Sequence, residues 1–214
     1  MVAAPFSSPP GDTPRERLIE AAIQQIERQG LSQLTVRGVA AAAGMNIAAV
    51  NYHFGSKQAL VAAALESTIL HMVKDTDAYL ERLPADPGGV LGELLGYYLE
   101  GALRYPRISK AHLYDAFVAE DYRGPFPALF APVLPRLRAA LRASVPGLDE
   151  RGAAQRLVAA LSAVYFPAFF GGLFRSLGTL ETPRERAAYV QQLAHRTLAP
   201  VAKRTAVKPR GRRR

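Results

Sequence analysis

The 214-residue chain has no cysteine and no tryptophan. Without a thiol there is no thiolate catalysis, no disulfide and no thiolate zinc site. Four histidines remain as metal ligands, His53, His71, His112 and His195, and no two stand at the close spacing of a helical ligand pair, so neither a metal nor a cofactor is expected. Runs of alternating apolar and polar residues bounded by hairpin turns are missing too, which leaves an all-α fold. No nucleophile elbow, phosphate-binding glycine loop or HExxH motif is present, and an enzyme is not expected. Met1 to Gly11 lacks a basic residue and a long apolar stretch, hence a secretory signal, so the expected location is the cytoplasm.

Apolar residues are plentiful: 49% of the chain is hydrophobic against 21% charged, which excludes disorder throughout. Leu157 to Phe174 runs 18 residues without a charge, at the lower edge of a bilayer span. Pro167 and the pair Gly171 and Gly172 interrupt it, so a buried or subunit-interface helix is expected and no membrane. Net charge is +9, with seven basic residues and no acidic one from Lys203 to Arg214, which leaves the rest of the chain near neutral at +2. Such a tail suits nucleic acid, a membrane surface or plain solvation.

Helix punctuation runs from end to end. Thr13-Pro14-Arg15-Glu16 is a capping box with proline at the first helical position, and Leu18, Ile19, Ala22, Ile23 and Ile26 then form one apolar stripe that stops before Gly30. Thr182 to Arg186 repeats the five residues Thr13 to Arg17, a reused helix start with no longer repeat behind it. Helices are expected over 13–29, 35–42, 46–53, 56–82, 88–104, 107–120, 125–144, 149–176 and 182–203. Pro132, Pro135 and Pro167 lie inside apolar patterns and are expected to kink or split their helices.

Thr35 to Phe54 reads as two short helices around Ala43-Gly44-Met45-Asn46, the spacing of a helix-turn-helix. Val39, Ala40 and Ala43 give the first helix a small apolar face. Ile47, Val50 and Phe54 are expected to anchor the second to the core, with Asn46 as its cap. At 100° per residue, Ala48, Ala49, Tyr52 and His53 then turn outward, with Asn51 at the edge of the buried stripe. A face of two alanines, a phenol and an imidazole suits a major groove, where alanine meets a thymine methyl and asparagine an adenine edge. Ala48, Ala49, Asn51, Tyr52 and His53 are the candidate base contacts. Thr35, Asn46, Tyr52 and Lys57 are the candidate phosphate contacts.

Three segments, Leu34-Thr35-Val36-Arg37-Gly38-Val39-Ala40, Ala43-Gly44-Met45-Asn46 and Asn51-Tyr52-His53-Phe54-Gly55-Ser56-Lys57-Gln58-Ala59-Leu60, resemble the N-terminal domain of TetR/AcrR-type bacterial transcriptional regulators, in order and spacing. Gly38 departs from the family, where that position is more often polar or charged, and is expected to weaken its helix by about 1 kcal/mol. The resemblance implies a three-helix DNA-binding head, a long connecting helix from Ser56, and a larger helical domain for effector binding and dimerisation. The division that follows is an extension over 1–12, the head over 13–57, the effector and dimerisation domain over 58–203, and a basic disordered tail over 204–214.

The function so implied is a ligand-responsive repressor that binds a palindromic double-stranded operator as a homodimer and is released by a small-molecule effector. In the resembling family the last two helices form a four-helix bundle with those of the partner, which points to Leu157, Ala160, Leu161 and Val164 as interface residues. The candidates for an apolar effector pocket are Tyr98, His112, Phe117, Tyr165 and Phe169. His112 and Asp115, three residues apart, are a candidate polar pair.

Overall fold

Side-chain caps written in the sequence start each α-helix of the first third. The computed structural model describes residues 13–118 and 120–201, so the expected extension over 1–12 and the tail over 204–214 lie outside the described residues. Helix α1 (Pro14–Gln29) begins on a reciprocal box, in which the Thr13 hydroxyl accepts from the Glu16 amide and the Thr13 amide donates to the Glu16 carboxylate. Thr35 accepts from the Gly38 amide at 3.1 Å to start α2 (Val36–Ala42), and Asn46 accepts from the Ala49 amide at 2.9 Å to start α3 (Ile47–Phe54). Ser56 does the same for the long α4 (Lys57–Arg82). Each cap is worth about 1 kcal/mol. Gly44, at φ +67°, makes the left-handed turn between α2 and α3.

Helices α5 (Pro87–Arg104), α6 (Pro106–Val118), α7 (Pro125–Phe130), α8 (Val133–Ser144), α9 (Glu150–Phe169), α10 (Gly171–Phe174) and α11 (Pro183–Thr197) complete an all-α fold, with no strand among the described residues. The expected helix over 125–144 is two, broken at Ala131-Pro132. Pro135 is harmless because it is the third residue of α8, where the amide has no intrahelical acceptor. The expected helix over 149–176 ends at Phe169, two residues after Pro167, and continues only as short turns. Pro167 cannot donate to the Ala163 carbonyl one turn back, and the Tyr189 hydroxyl of α11 donates to that carbonyl instead, at 2.7 Å. The last expected helix stops at Thr197 rather than 203, where the Arg156 guanidinium of α9 donates to the carbonyls of Thr197 and Ala199.

Two buried clusters hold the chain. The head cluster gathers Leu18, Ile23 and Ile26 of α1, Leu34, Val39 and Ala40 around α2, Val50 of α3, and Leu60 and Ala64 of α4. The larger cluster joins Ile69 and Met72 of α4 to Leu94, Tyr98 and Leu99 of α5, Phe130 of α7, Val133 of α8, Val164 of α9 and Val190 of α11. Helix α6 belongs to both neighbourhoods: Ile108 and Ala111 are buried in the head cluster, while Ser109 and His112 face the body. The first turn of α6 is latched to the last turn of α1. Glu27 accepts from the Ile108 amide at 3.0 Å, and Arg107 donates to the carbonyls of Glu27 and Arg28. Gly38 has a local reason as well, since a Cβ there would lie 2.5 Å from the amide nitrogen of the buried Gln25 and 2.8 Å from the capping Thr35 hydroxyl.

Candidate functional site

Helix α3 is held by one deeply buried residue and one covered end. Val50 is buried in the head cluster, and Phe54 is half-buried beneath the Arg15 guanidinium, 5.3 Å from its ring centre. This fixes the helix by one face and turns the other outward. Ala48, Asn51 and Tyr52 are exposed, and Ala49 and His53 are partly so. Tyr52 is 86% exposed, its ring edge-on to that of His53 at 5.0 Å between centres. A large aromatic side chain so bare on a short, well-capped helix has no packing role within the chain.

Two expectations about this helix change. Ile47 is 45% exposed and does not anchor the helix. As the first residue of α3 it lies at the helix end beside the turn, outside the head cluster that buries Val50 one turn later. Asn51 stands fully on the open face rather than at the buried edge.

Thr35 and Asn46 use their oxygens on the backbone, so the Thr35 hydroxyl proton and the Asn46 amide protons are what they can offer outward. Lys57 is the first residue of α4, beside amides with no intrahelical acceptor. Asn46 thus caps the start of α3, Tyr52 stands on its open face with Ala48 and Asn51, Lys57 follows its end after Gly55 and Ser56, and Thr35 starts the neighbouring α2. Ile47 is exposed beside Ala48 at the start of α3, and Arg37, which has no signal of its own in one sequence, is exposed on the neighbouring α2.

A cavity of about 160 Å³ lies in the body among α4, α5, α6, α7 and α9. Tyr98, His112, Tyr165 and Phe169 line it, while Phe117 is 72% exposed on the outside of α6. Tyr97, an aromatic residue of the kind the sequence offers for such a wall, lines it too, and Ile69, Met72 and Phe126, which carry no sequence signal for a pocket, complete the apolar wall. No charged residue lines it. Burial raises the Tyr98 and Tyr165 hydroxyls well above their ordinary range and lowers His112 to about 4, so these walls are neutral near pH 7. The partner of His112 is Thr68 on α4, at 2.9 Å, and not Asp115, which is exposed although only three residues away.

The interface residues expected on α9 fall on its inner side. Ala160 and Val164 are buried in the chain's own core, and Leu157 and Leu161 are partly buried against it. The face left open carries Val158, 65% exposed, then Ser162, Phe166 and Phe170 at four-residue spacing. No described helix is long and apolar enough to cross a membrane.

Residues 18–64 match the family model described as "Bacterial regulatory proteins, tetR family". A stretch of 56 residues is 43% identical to the HTH-type transcriptional dual regulator CecR of Shigella flexneri, covering 26% of this chain and 25% of CecR. The matched stretch thus spans only about a quarter of that relative's length. A transcriptional regulator from Rhodococcus sp. Rha1 has a similar fold, with a TM-score of 0.66, 23% identity, and coverage of 87% of this chain and 96% of that one. The multidrug binding protein EbrR, solved with malachite green, aligns with a TM-score of 0.61 and 24% identity over 86% of this chain and 98% of that one.

Proposed function

We propose that this chain, a TetR-family transcriptional regulator and not an enzyme, is a cytoplasmic repressor that binds a palindromic operator as a homodimer and releases it when a small molecule fills the body cavity. The observation that carries the reading is the bare face of α3, with Ala48, Ala49, Asn51, Tyr52 and His53 set toward base edges and Thr35, Asn46, Tyr52 and Lys57 toward phosphates. The functional division is the head over 13–57 and the effector and dimerisation part over 58–203. Residues 1–57 hold five basic and four acidic side chains, too little positive charge for one head to hold DNA alone. Two heads joined in a dimer supply the missing affinity by binding together.

The open apolar face of α9, from Val158 to Phe170, supports a subunit interface there, with Leu157 and Leu161 at its edge. Ala160 and Val164 back that face from inside the core. EbrR is a multidrug binding protein solved with a dye bound, and by likeness of fold the cavity here is the proposed effector site. Its walls include Thr68-bonded His112, and α4 and α6 both run from the cavity into the head cluster. A molecule that binds best when α4 and α6 are displaced shifts the spacing of the two heads and weakens their fit to one duplex.

Selection of bound sequences from random duplex DNA by the full chain tests this reading. The expected product is an inverted repeat whose half-site centres lie about 34–36 Å apart, or a multiple of that. Enrichment of a single asymmetric site, or of none, contradicts the dimeric operator.

A further inference from the structure

We propose that the cavity takes a neutral, mostly aromatic molecule that presents one hydroxyl or N–H group to Nδ1 of His112, an inference that rests on the reading of this cavity as the effector site. The Thr68 hydroxyl donates to the Leu65 carbonyl one turn back on α4, at 2.8 Å. Having one proton, it can only accept from His112, so the 2.9 Å contact is a donation from Nε2. A neutral imidazole that donates from Nε2 keeps a bare lone pair on Nδ1. That nitrogen has no partner within the chain and is closed to a water-sized probe, so a ligand's donor meets it once the imidazole ring, which lines the cavity, turns toward the bound molecule. Buried polar atoms are ordinarily paired, and a donor brought by a ligand would complete this one.

The rest of the wall narrows the class. Thr76 gives its proton to the Met72 carbonyl, so the Tyr98 hydroxyl donates to Thr76, and the Tyr97 hydroxyl donates to Asp75. Their protons are committed, and what remains toward a ligand is lone pairs, which suit a donor and repel an anion. The Ser109 hydroxyl, and the Tyr165 hydroxyl, whose proton meets only the Met72 thioether at 3.9 Å, can take either role and do not discriminate. Tyr165 is sandwiched between Tyr98 and Phe169, which occupies both of its faces, and no carboxylate lines the cavity, so little there offsets the lost hydration of a cation. A volume of about 160 Å³ is close to the apolar cavity of about 150 Å³ known to hold benzene, so one ring with a short substituent fits.

Calorimetric titration of the full chain, without DNA, with 4-ethylphenol, 4-ethylanisole, 4-ethylbenzoate and phenyltrimethylammonium decides the matter. The phenol is expected to bind about tenfold tighter than its methyl ether, with the anion and the cation weaker still. In His112→Leu that preference should vanish while the ether still binds. If the variant does not fold, the ¹⁵N resonance of His112 Nδ1 in the unaltered protein should move on saturation with the phenol and stay in place with the ether. Equal affinities for phenol and ether, tighter binding of either ion, no binding of any probe, a preference that survives in the variant, or an unmoved Nδ1 resonance would each overturn the proposal. Operator release is measured separately: a phenol that binds with the expected preference yet leaves operator affinity unchanged contradicts the effector reading and not the ligand class.

Discussion

The proposed DNA face is assembled from one stretch of sequence, 35–57, whereas the cavity takes its wall from five helices between Ile69 and Phe169. The first is positioned by contacts three or four residues long: the Thr35, Asn46 and Ser56 caps, and the turn at Gly44. The second exists only when α4, α5, α6, α7 and α9 have packed. A side chain on the open face of α3 supports nothing else in the chain, so its removal should change binding and not stability. A residue beneath the cavity wall should do the reverse.

The largest effect that sharpens this contrast is Leu99→Ala. Leu99 is fully buried at the centre of the body cluster, and truncation should lower unfolding free energy by about 3 kcal/mol in urea titrations. A loss under about 1 kcal/mol would place the body's stability elsewhere.

Acid gives the next effect. Burial lowers His112 to about 4 from an ordinary 6.5, so between these values the unfolded chain takes up a proton that the folded chain refuses. Stability from this group is complete above pH 6.5 and is lost as pH falls toward 4, by on the order of 3 kcal/mol. Unfolding titrations at pH 7 and pH 4.5 on the unaltered protein and on His112→Leu should show the larger decline only in the former. An equal decline would mean that carboxylates alone set the acid limit.

The smallest of the three comes from the open face. Tyr52→Ala should weaken operator binding by about tenfold with the unfolding midpoint unchanged. A shifted midpoint would mean that Tyr52 holds the fold, contrary to its exposure.

The same contrast governs what could be read from the chain beforehand. Thr13, Thr35 and Asn46 announce their helices because a cap acts on amides three residues ahead, and a sequence displays that spacing directly. Helical periodicity says that two residues share a face but not which face meets the core. On α9 both stripes are apolar, Ala160 with Val164 and Val158 with Phe166, and only packing against α5 and α11 reveals that the first pair is inside. Phe117 fails as a wall residue for that reason, since α6 turns His112 inward and Phe117 outward. Thr68 carried no signal at all, because its role depends on a histidine 44 positions later in the chain. Gly38 looked like a weakness in a helix and is space for the amide of Gln25, thirteen residues earlier and on another helix.

The most direct test is the operator affinity of Ala48→Glu, in which a carboxylate replaces a methyl group on the exposed face of α3. If that face lies in the groove, affinity for the selected operator should fall by about a hundredfold, with oligomeric state and unfolding midpoint unaltered. Operator affinity equal to that of the unaltered chain would place the DNA contact on some other surface.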